Sequence, residues 1–112
     1  MTKTAFLFAG QGAQYLGMGR DLYDHYPIVK ETIDQASQVL GYDLRDLIDK
    51  EETKLNQTRY TQPAILATSV AIYRLLKEKG YQPDMVAGLS LGEYSALVAS
   101  GALDFEDAVA LV

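Results

Sequence analysis

The sequence predicts an α/β fold in which two parallel strands are covered by helices. Two short runs, 4–8 and 85–87, are dominated by apolar side chains and are typical of buried strands. A glycine-rich segment follows each run, and apolar residues recur at helical spacing in the stretch between them. The order is therefore strand, helices, strand, helix, which favours a parallel sheet with helices over it.

Three helices are predicted before the middle of the chain. A short helix over 20–26 should end before Pro27, which suits the first turn of the next helix because its missing N–H costs nothing there. That second helix should end at Gly41, a natural C′ residue. Asp43 is the expected cap of a third helix, which should run through Ile48.

A polar loop is expected over 49–57, and the longest helix over 61–79. Thr61 is the expected N-cap of this helix, with Pro63 in its first turn. Its buried face should contain Leu66, Val70 and Tyr73. After the second strand we expect a helix that ends near Gly101, and one more helix capped by Asp104.

The composition narrows the classes of function. Hydrophobic residues make up 48% and charged residues 22% of the 112 residues, as in ordinary globular domains. The formal net charge of −5 argues against nucleic acid or an anionic membrane as the main partner. The chain has no cysteine and hence no disulfide or thiolate metal site. With neither a secretory signal nor an uninterrupted apolar span, we expect a cytoplasmic protein that uses no metal or cofactor.

The segment Gly88-Leu89-Ser90-Leu91-Gly92 matches the pattern G-x-S-x-G between a predicted strand and a predicted helix. A serine at the apex of such a turn is exposed, and the small neighbours avoid the crossing backbone. It also lies at a helix N-terminus, where N–H groups favour developing negative charge. Ser90 is therefore the predicted nucleophile, and the alternative is a glycine-rich turn with an incidental serine.

A second glycine-rich segment, 10–14, also follows a predicted strand. An acyl-transfer serine needs two N–H donors aimed at the carbonyl oxygen that becomes negative. One should come from Leu91, the residue after the nucleophile, and the other from the loop that contains Gln11. This loop lacks the lysine of a P-loop and the G-x-G-x-x-G spacing, which argues against nucleotide binding.

Three segments together resemble the malonyl-CoA:acyl carrier protein transacylases and the related acyltransferase domains of fatty-acid and polyketide synthases. They are Phe8-Ala9-Gly10-Gln11-Gly12-Ala13-Gln14, Tyr60-Thr61-Gln62-Pro63-Ala64 and Gly88-Leu89-Ser90-Leu91-Gly92-Glu93-Tyr94-Ser95-Ala96-Leu97. Their order and separations match the family, and the resemblance covers the whole chain.

The resemblance implies a malonyl transferase that uses malonyl-CoA as substrate and acyl carrier protein as partner, with an α/β-hydrolase-like nucleophile elbow. It implies that Ser90 is the catalytic residue, that the N–H groups of Gln11 and Leu91 form the oxyanion hole, and that Gln62 lies near the pocket. Many members have histidine where this chain has Leu89, and proline where it has Ala9. The choice among malonyl, methylmalonyl and acetyl groups therefore stays open.

No residue of this chain is a convincing general base. The single histidine, His25, is expected to face solvent, and Glu93 is expected to stabilise its own helix as a first-turn carboxylate. Arg59 and Arg74 could bind a carboxylate, but neither is assigned to the site, and Arg74 is expected to be solvated. The resemblance places a catalytic histidine and a carboxylate-binding arginine well downstream of Ser90.

We therefore expect residues 1–112 to be the N-terminal portion of an acyltransferase catalytic domain, inactive and poorly packed when isolated. Two alternatives remain at this point. The first is an α/β-hydrolase-type esterase, which shares the elbow but usually has several strands before it. The second is a non-catalytic interaction fragment.

Overall fold

The computed structural model describes residues 14–80, 95, 98–101 and 103–112, together with the backbone of strands 5–8 and 85–88. The elements, in chain order, are β1 (Ala5–Phe8), α1 (Arg20–His25), α2 (Pro27–Leu40), α3 (Leu44–Lys50), α4 (Glu52–Leu55), α5 (Thr58–Glu78), β2 (Met85–Gly88) and α6 (Phe105–Leu111). Ser95 and residues 98–100 are also helical.

The two strands pair in parallel, with Ala5 opposite Met85 and Phe8 opposite Gly88. Strand β2 runs one residue further than the sequence predicts, to Gly88. Parallel neighbouring strands require a crossover connection. Here the helices α1 to α5, which lie between the two strands in the sequence, form that connection.

Helix α2 has the predicted bounds because both of its ends carry a local signal. Pro27 is its first residue, where the missing N–H has no helical partner to lose. Gly41 ends the helix with a left-handed φ of 82°, and its N–H donates to the carbonyl of Ser37 at 2.9 Å. A side chain in place of the Gly41 hydrogen would be strained in this conformation.

Helix α3 begins as predicted, with the Asp43 carboxylate accepting a 3.0 Å hydrogen bond from the N–H of Asp46. The predicted loop over 49–57 is wrong. Helix α3 continues to Lys50, and α4 follows almost at once. The reason is Leu55, which is 1% exposed and joins the core although the residues around it are polar.

Helix α5 begins three residues earlier than predicted, and Thr61 is not its N-cap. The N-cap position belongs to Gln57, whose carbonyl accepts the N–H of Thr61 at 2.8 Å. The buried Thr61 hydroxyl donates to the carbonyl of Leu55 and lies 2.9 Å from that of Gln57. Pro63 consequently lies inside the helix, beyond its first turn.

The core forms where α5 packs against α2, α4 and α6. The predicted buried face of α5 is confirmed, since Leu66 and Val70 are fully buried and Tyr73 is 9% exposed. In α6, Phe105 is buried and Asp104 occupies the N-cap position without a side-chain cap hydrogen bond. Leu111, at the other end of α6, is exposed.

Of the helices in the described ranges, none combines the length and the apolar character that crossing a membrane requires.

The burial of Leu55 predicts a large effect of its truncation. Leu55→Ala should lower the free energy of unfolding of the whole protein by about 2–5 kcal/mol, because it removes a packed side chain and leaves a cavity. Lys54→Ala is the matched control, since Lys54 is exposed and its ion pair with Glu51 at 3.3 Å and its contact at 5.8 Å from the centre of the Tyr60 ring are surface interactions of small energy. Urea unfolding of the two variants provides the comparison, and equal midpoints would show that α4 is not held by Leu55.

Candidate active site

The carboxyl ends of β1 and β2 lie side by side at one edge of the sheet. Phe8 ends β1 and pairs with Gly88, which ends β2. Neighbouring strands are about 4.8 Å apart, so the segments that follow Phe8 and Gly88 leave the sheet from adjacent points. These segments carry the predicted oxyanion loop and the predicted nucleophile.

The predicted site residues Ser90, Gln11 and Leu91 lie outside the described residues, as does Glu93. Their roles as nucleophile and oxyanion donors stay predictions. Gln62 is described and is half-buried on α5.

The chain beyond the Gln11 loop forms a tight turn that is fastened to α3. We call residues 15–19 the glycine turn, because Gly17 and Gly19 adopt φ values of 77° and 74°. The N–H of Gly17 donates to the carbonyl of Ile48 at 2.8 Å. Just before the turn, the Gln14 amide donates to the Asn56 side chain at 3.0 Å.

A buried arginine makes the second link between the glycine turn and α3. Arg45 is 4% exposed, and its Nη2 donates to the carbonyl of Met18 at 2.7 Å and to Asp49 at 2.7 Å. Its Nε lies 3.1 Å from the same Asp49 oxygen. Arg20, which follows the turn, donates to the other Asp49 oxygen at 2.6 Å. This cluster was not predicted from the sequence, where its one local sign is an arginine four residues before an aspartate.

The charges around Asp49 determine its pKa. Burial raises the pKa of this carboxyl, but hydrogen bonds from Arg45 and Arg20 lower it by more, so the pKa lies below its usual value. Asp49 is therefore ionised near neutral pH and compensates the buried guanidinium of Arg45.

The segment after β2 is attached to α5. The Tyr73 hydroxyl donates to the carbonyl of Ala99 at 2.9 Å. Ser95 is fully buried, and its hydroxyl has no hydrogen-bond partner among the described residues. Ser95 and Ala99 thus attach the described part of the segment after β2 to the core.

A cleft of about 210 Å³ lies between the glycine turn, α1 and α5. Its lining residues are Tyr15, Met18, Gly19, Leu22, Ile65, Thr68, Ser69 and Ile72. The walls are mainly apolar, and Tyr15 and Ile72 at its edge are exposed. The buried Thr68 hydroxyl has no hydrogen-bond partner in the described part of the chain.

Two other side chains that were considered for the site, those of His25 and Arg59, lie on the surface. His25 is exposed on α1, with Nδ1 at 2.7 Å from the carbonyl of Asp21, as expected for a solvent-facing residue. Arg59 is exposed, and its guanidinium carbon lies 5.0 Å from the centre of the Tyr60 ring.

The prediction of a solvated Arg74 is wrong. Its guanidinium carbon lies 4.7 Å from the centre of the Phe105 ring, and Nη1 donates to Thr32 and Gln35 at 3.2 Å. Burial lowers the pKa of Arg74, although the charge of Asp104 opposes this. The cause of the error is α6, which covers this part of α5. In the described ranges, no group of three or more His, Cys, Asp or Glu residues is placed to hold a metal ion.

Comparison with known proteins defines the class. Residues 5–112 match the family described as "Acyl transferase domain". The malonyl CoA-acyl carrier protein transacylase of Haemophilus influenzae is 57% identical over 115 residues, which are 100% of this chain and 37% of that protein.

Solved structures similar to this chain come from proteins of the same kind as the relative from Haemophilus influenzae. MCAT from Streptococcus pneumoniae has a TM-score of 0.96 and 94% identity over 97% of this chain and 36% of that chain. A malonyl-transacylase in complex with a type II polyketide synthase acyl-carrier protein has a TM-score of 0.94 and 51% identity, over 98% of this chain and 36% of that chain.

The structure therefore has the fold of part of an acyltransferase domain. The chain belongs to the acyl transferase domain family, whose match extends over all but its first four residues. It spans about 37% of the length of the curated relative described above.

The lowered pKa of Asp49 predicts a pH-dependent contribution to stability. Because the folded-state pKa is depressed, the contribution is fully present above the unfolded pKa of about 3.9 and is lost as pH falls through the folded pKa. Asp49→Asn should destabilise the whole protein by about 3–5 kcal/mol near pH 7, since it leaves the Arg45 charge uncompensated.

The difference in melting temperature between Asp49→Asn and wild type should shrink as the pH is lowered below about 4. Asp24→Asn is the control, because Asp24 and Arg20 form an exposed ion pair at 3.0 Å, and the loss of such a pair should change the stability little. A difference for Asp49→Asn that stays constant from pH 7 to pH 3 would contradict the assigned ion pairs.

Proposed function

We propose that the whole protein transfers a malonyl group from CoA to the phosphopantetheine thiol of acyl carrier protein through an acyl-enzyme on Ser90. The reaction would serve fatty-acid or polyketide biosynthesis. Residues 1–112 would form the N-terminal portion of the catalytic domain and supply the nucleophile and the oxyanion hole. The proposed location is the cytoplasm.

The observation that carries the proposal is the similarity to proteins of this activity. The relative from Haemophilus influenzae is called a malonyl CoA-acyl carrier protein transacylase, and 57% of the aligned residues are identical. The complex of a malonyl-transacylase with an acyl-carrier protein supports the same kind of partner. The family match favours an acyltransferase over the esterase alternative.

The parallel strand pair supports the placement of the chemistry. An oxyanion hole with one donor after each strand requires that the two strand ends be neighbours, and Phe8 and Gly88 are neighbours. An antiparallel pair would have put the two loops at opposite edges of the sheet.

In the proposed reaction, the Ser90 oxygen attacks the thioester carbonyl of malonyl-CoA and loses its proton to a base. The N–H groups of Gln11 and Leu91 donate to the oxygen that becomes negative. The carbon–sulfur bond then breaks, and CoA leaves as a thiol after taking up a proton. The thiol of acyl carrier protein attacks the serine ester in the same way, which restores the Ser90 hydroxyl.

Both steps exchange one acyl bond for another, so electrons and atoms balance without a redox partner. Malonyl-CoA is a substrate here, and we propose no resident cofactor. The resemblance implies that the base is a histidine downstream of Ser90.

The first test concerns the acyl-enzyme. Wild-type whole protein incubated with malonyl-CoA should gain the mass of one malonyl group, whereas Ser90→Ala should gain none because it lacks the attacking oxygen. Intact-protein mass spectrometry is the measurement, and Ser100→Ala is the matched control, because Ser100 is an exposed serine in the helical residues 98–100. An undiminished malonyl adduct on Ser90→Ala would overturn the proposal, and consumption of a simple ester in place of malonyl-CoA would favour an esterase.

The second test concerns the Gln11 backbone. Gln11→Pro deletes the N–H donor and should slow acylation by roughly 10² or more, as the loss of one oxyanion donor does in other acyl-transfer enzymes. Gln11→Ala keeps the donor and should cost much less. Rapid-quench measurement of the acylation rate distinguishes them, and equal small losses would remove Gln11 from the site.

A further inference from the structure

Exposed apolar side chains gather at the cleft between the glycine turn, α1 and α5. Among the described residues, the exposed large hydrophobic side chains are those of Tyr15, Leu16, Val39, Ile72 and Leu111. Tyr15 and Ile72 line the cleft, and Leu16 follows Tyr15 in the glycine turn. Single exposed apolar residues are normal on a protein surface, whereas a group of them around a concave surface is typical of an interaction site.

The size of the cleft favours the side chains of a polypeptide over a small-molecule ligand. Its volume of about 210 Å³ is below the range of roughly 300–1,000 Å³ that is usual for ligand pockets. Met18 and Ile65, which line the cleft, also belong to the buried core. The cleft is thus continuous with the core, and a few apolar side chains of a packed segment would fill it.

The shape of the cleft is fixed by contacts within the described part of the chain. Hydrogen bonds from Gly17 to α3 and from Arg45 to the turn hold the glycine turn in place. Gly19 keeps the gap between the turn and α5 open, because a Cβ at this position would lie 3.4 Å from Thr68 Cγ2. A preformed surface loses little conformational entropy on docking, which strengthens its binding to a matching segment.

The length of the related proteins indicates what covers the cleft. The structure from Streptococcus pneumoniae has the same backbone arrangement, with a TM-score of 0.96, over 36% of its chain, which leaves the other 64% outside the match. The parts of one folded domain bury their apolar surfaces against each other. The resemblance to the transacylases places further catalytic residues downstream of Ser90, so the outside part includes chain that follows residue 112.

We propose that the cleft is an internal docking surface, which is covered by apolar side chains from the part of the whole protein beyond residue 112. That part is covalently attached to this chain, and its effective concentration at the cleft therefore exceeds that of a second copy or a separate partner. The proposal goes beyond the proposed function and does not depend on the role of Ser90. It implies that Ile72, exposed in residues 1–112, is buried in the whole protein.

The first measurement compares charges placed at two equally exposed helix positions of the whole protein. Ile72 is 37% exposed and Val39 is 36% exposed, so Val39→Asp is the matched control for Ile72→Asp. Ile72→Asp should lower the melting temperature by roughly 5 °C or more, because the docked segment would bury the carboxylate without a partner. Val39→Asp should lower it by less than about 2 °C, as other surface substitutions do. Equal shifts in the two variants would overturn the proposal.

Thiol labelling supplies a second readout, which needs no unfolding and uses milder substitutions. Residues 1–112 contain no cysteine, so Ile72→Cys and Val39→Cys each add one reporter thiol, which peptide mass mapping distinguishes from any thiol elsewhere in the whole protein. The thiol at position 72 should react with iodoacetamide at least about tenfold more slowly than the thiol at position 39, because a covered site reacts only when it opens. Equal rates would overturn the proposal, and would do so even if Ile72→Asp does not fold.

The same labelling distinguishes the protein's own chain from other occupants of the cleft. Protection at position 72 that is lost on dilution would identify a second copy, since only an intermolecular contact depends on protein concentration. Protection that appears only after malonyl-CoA or acyl carrier protein is added would identify a substrate or a separate partner. Either result would overturn the proposal, whereas protection that depends on neither dilution nor these additions supports it.

Discussion

The packing of α5 against α2 determines where the other elements lie. Burial of a side chain such as Leu66 or Val70 stabilises the fold by about 1.5–3 kcal/mol, and both are fully buried on α5. The same helix contacts α4 and α6, and the Tyr73 hydroxyl attaches the segment that follows β2 through the carbonyl of Ala99. Because one rigid helix makes all these contacts, the chain after the predicted elbow takes its position from the helical core as well as from the two-stranded sheet.

The elements that are predicted well from the sequence are those whose first and last residues favour a helix end through their own backbone properties. Pro27 and Gly41 bound α2 because a missing N–H and a left-handed φ act locally. The short helix α4 has no such local signal at its ends. It forms where Leu55 packs into a core made of residues that are distant in the sequence. The start of α5 also depends on a contact outside the helix. Thr61 has the sequence features of an N-cap, but its hydroxyl donates to the carbonyl of Leu55.

The candidate site likewise contains residues that a local pattern predicts and residues whose surroundings depend on distant contacts. The G-x-S-x-G pattern predicts Ser90 as the nucleophile because a strand-to-helix turn of this type requires small residues at fixed positions. The surroundings of Arg45 and Arg74 cannot be predicted in this way, because the buried Arg45 and the half-buried Arg74 are each covered by a segment far away in the sequence. The glycine turn accepts a hydrogen bond from Arg45, and α6 places Phe105 beneath Arg74. An arginine four residues before an aspartate on a helix is expected to form an ion pair, but this spacing does not indicate whether the pair is buried or exposed.

An oxyanion hole made from two distant segments depends on whatever joins them. Sheet pairing places Phe8 beside Gly88, and each proposed donor follows one of these two strand ends in the sequence. On the Gln11 side, the described contacts further along the chain include the attachment of the glycine turn to α3 through Arg45, whose charge Asp49 balances. A buried and fully hydrogen-bonded ion pair rigidifies the segment that it joins, and here that segment is a turn whose glycines have little conformational restraint of their own.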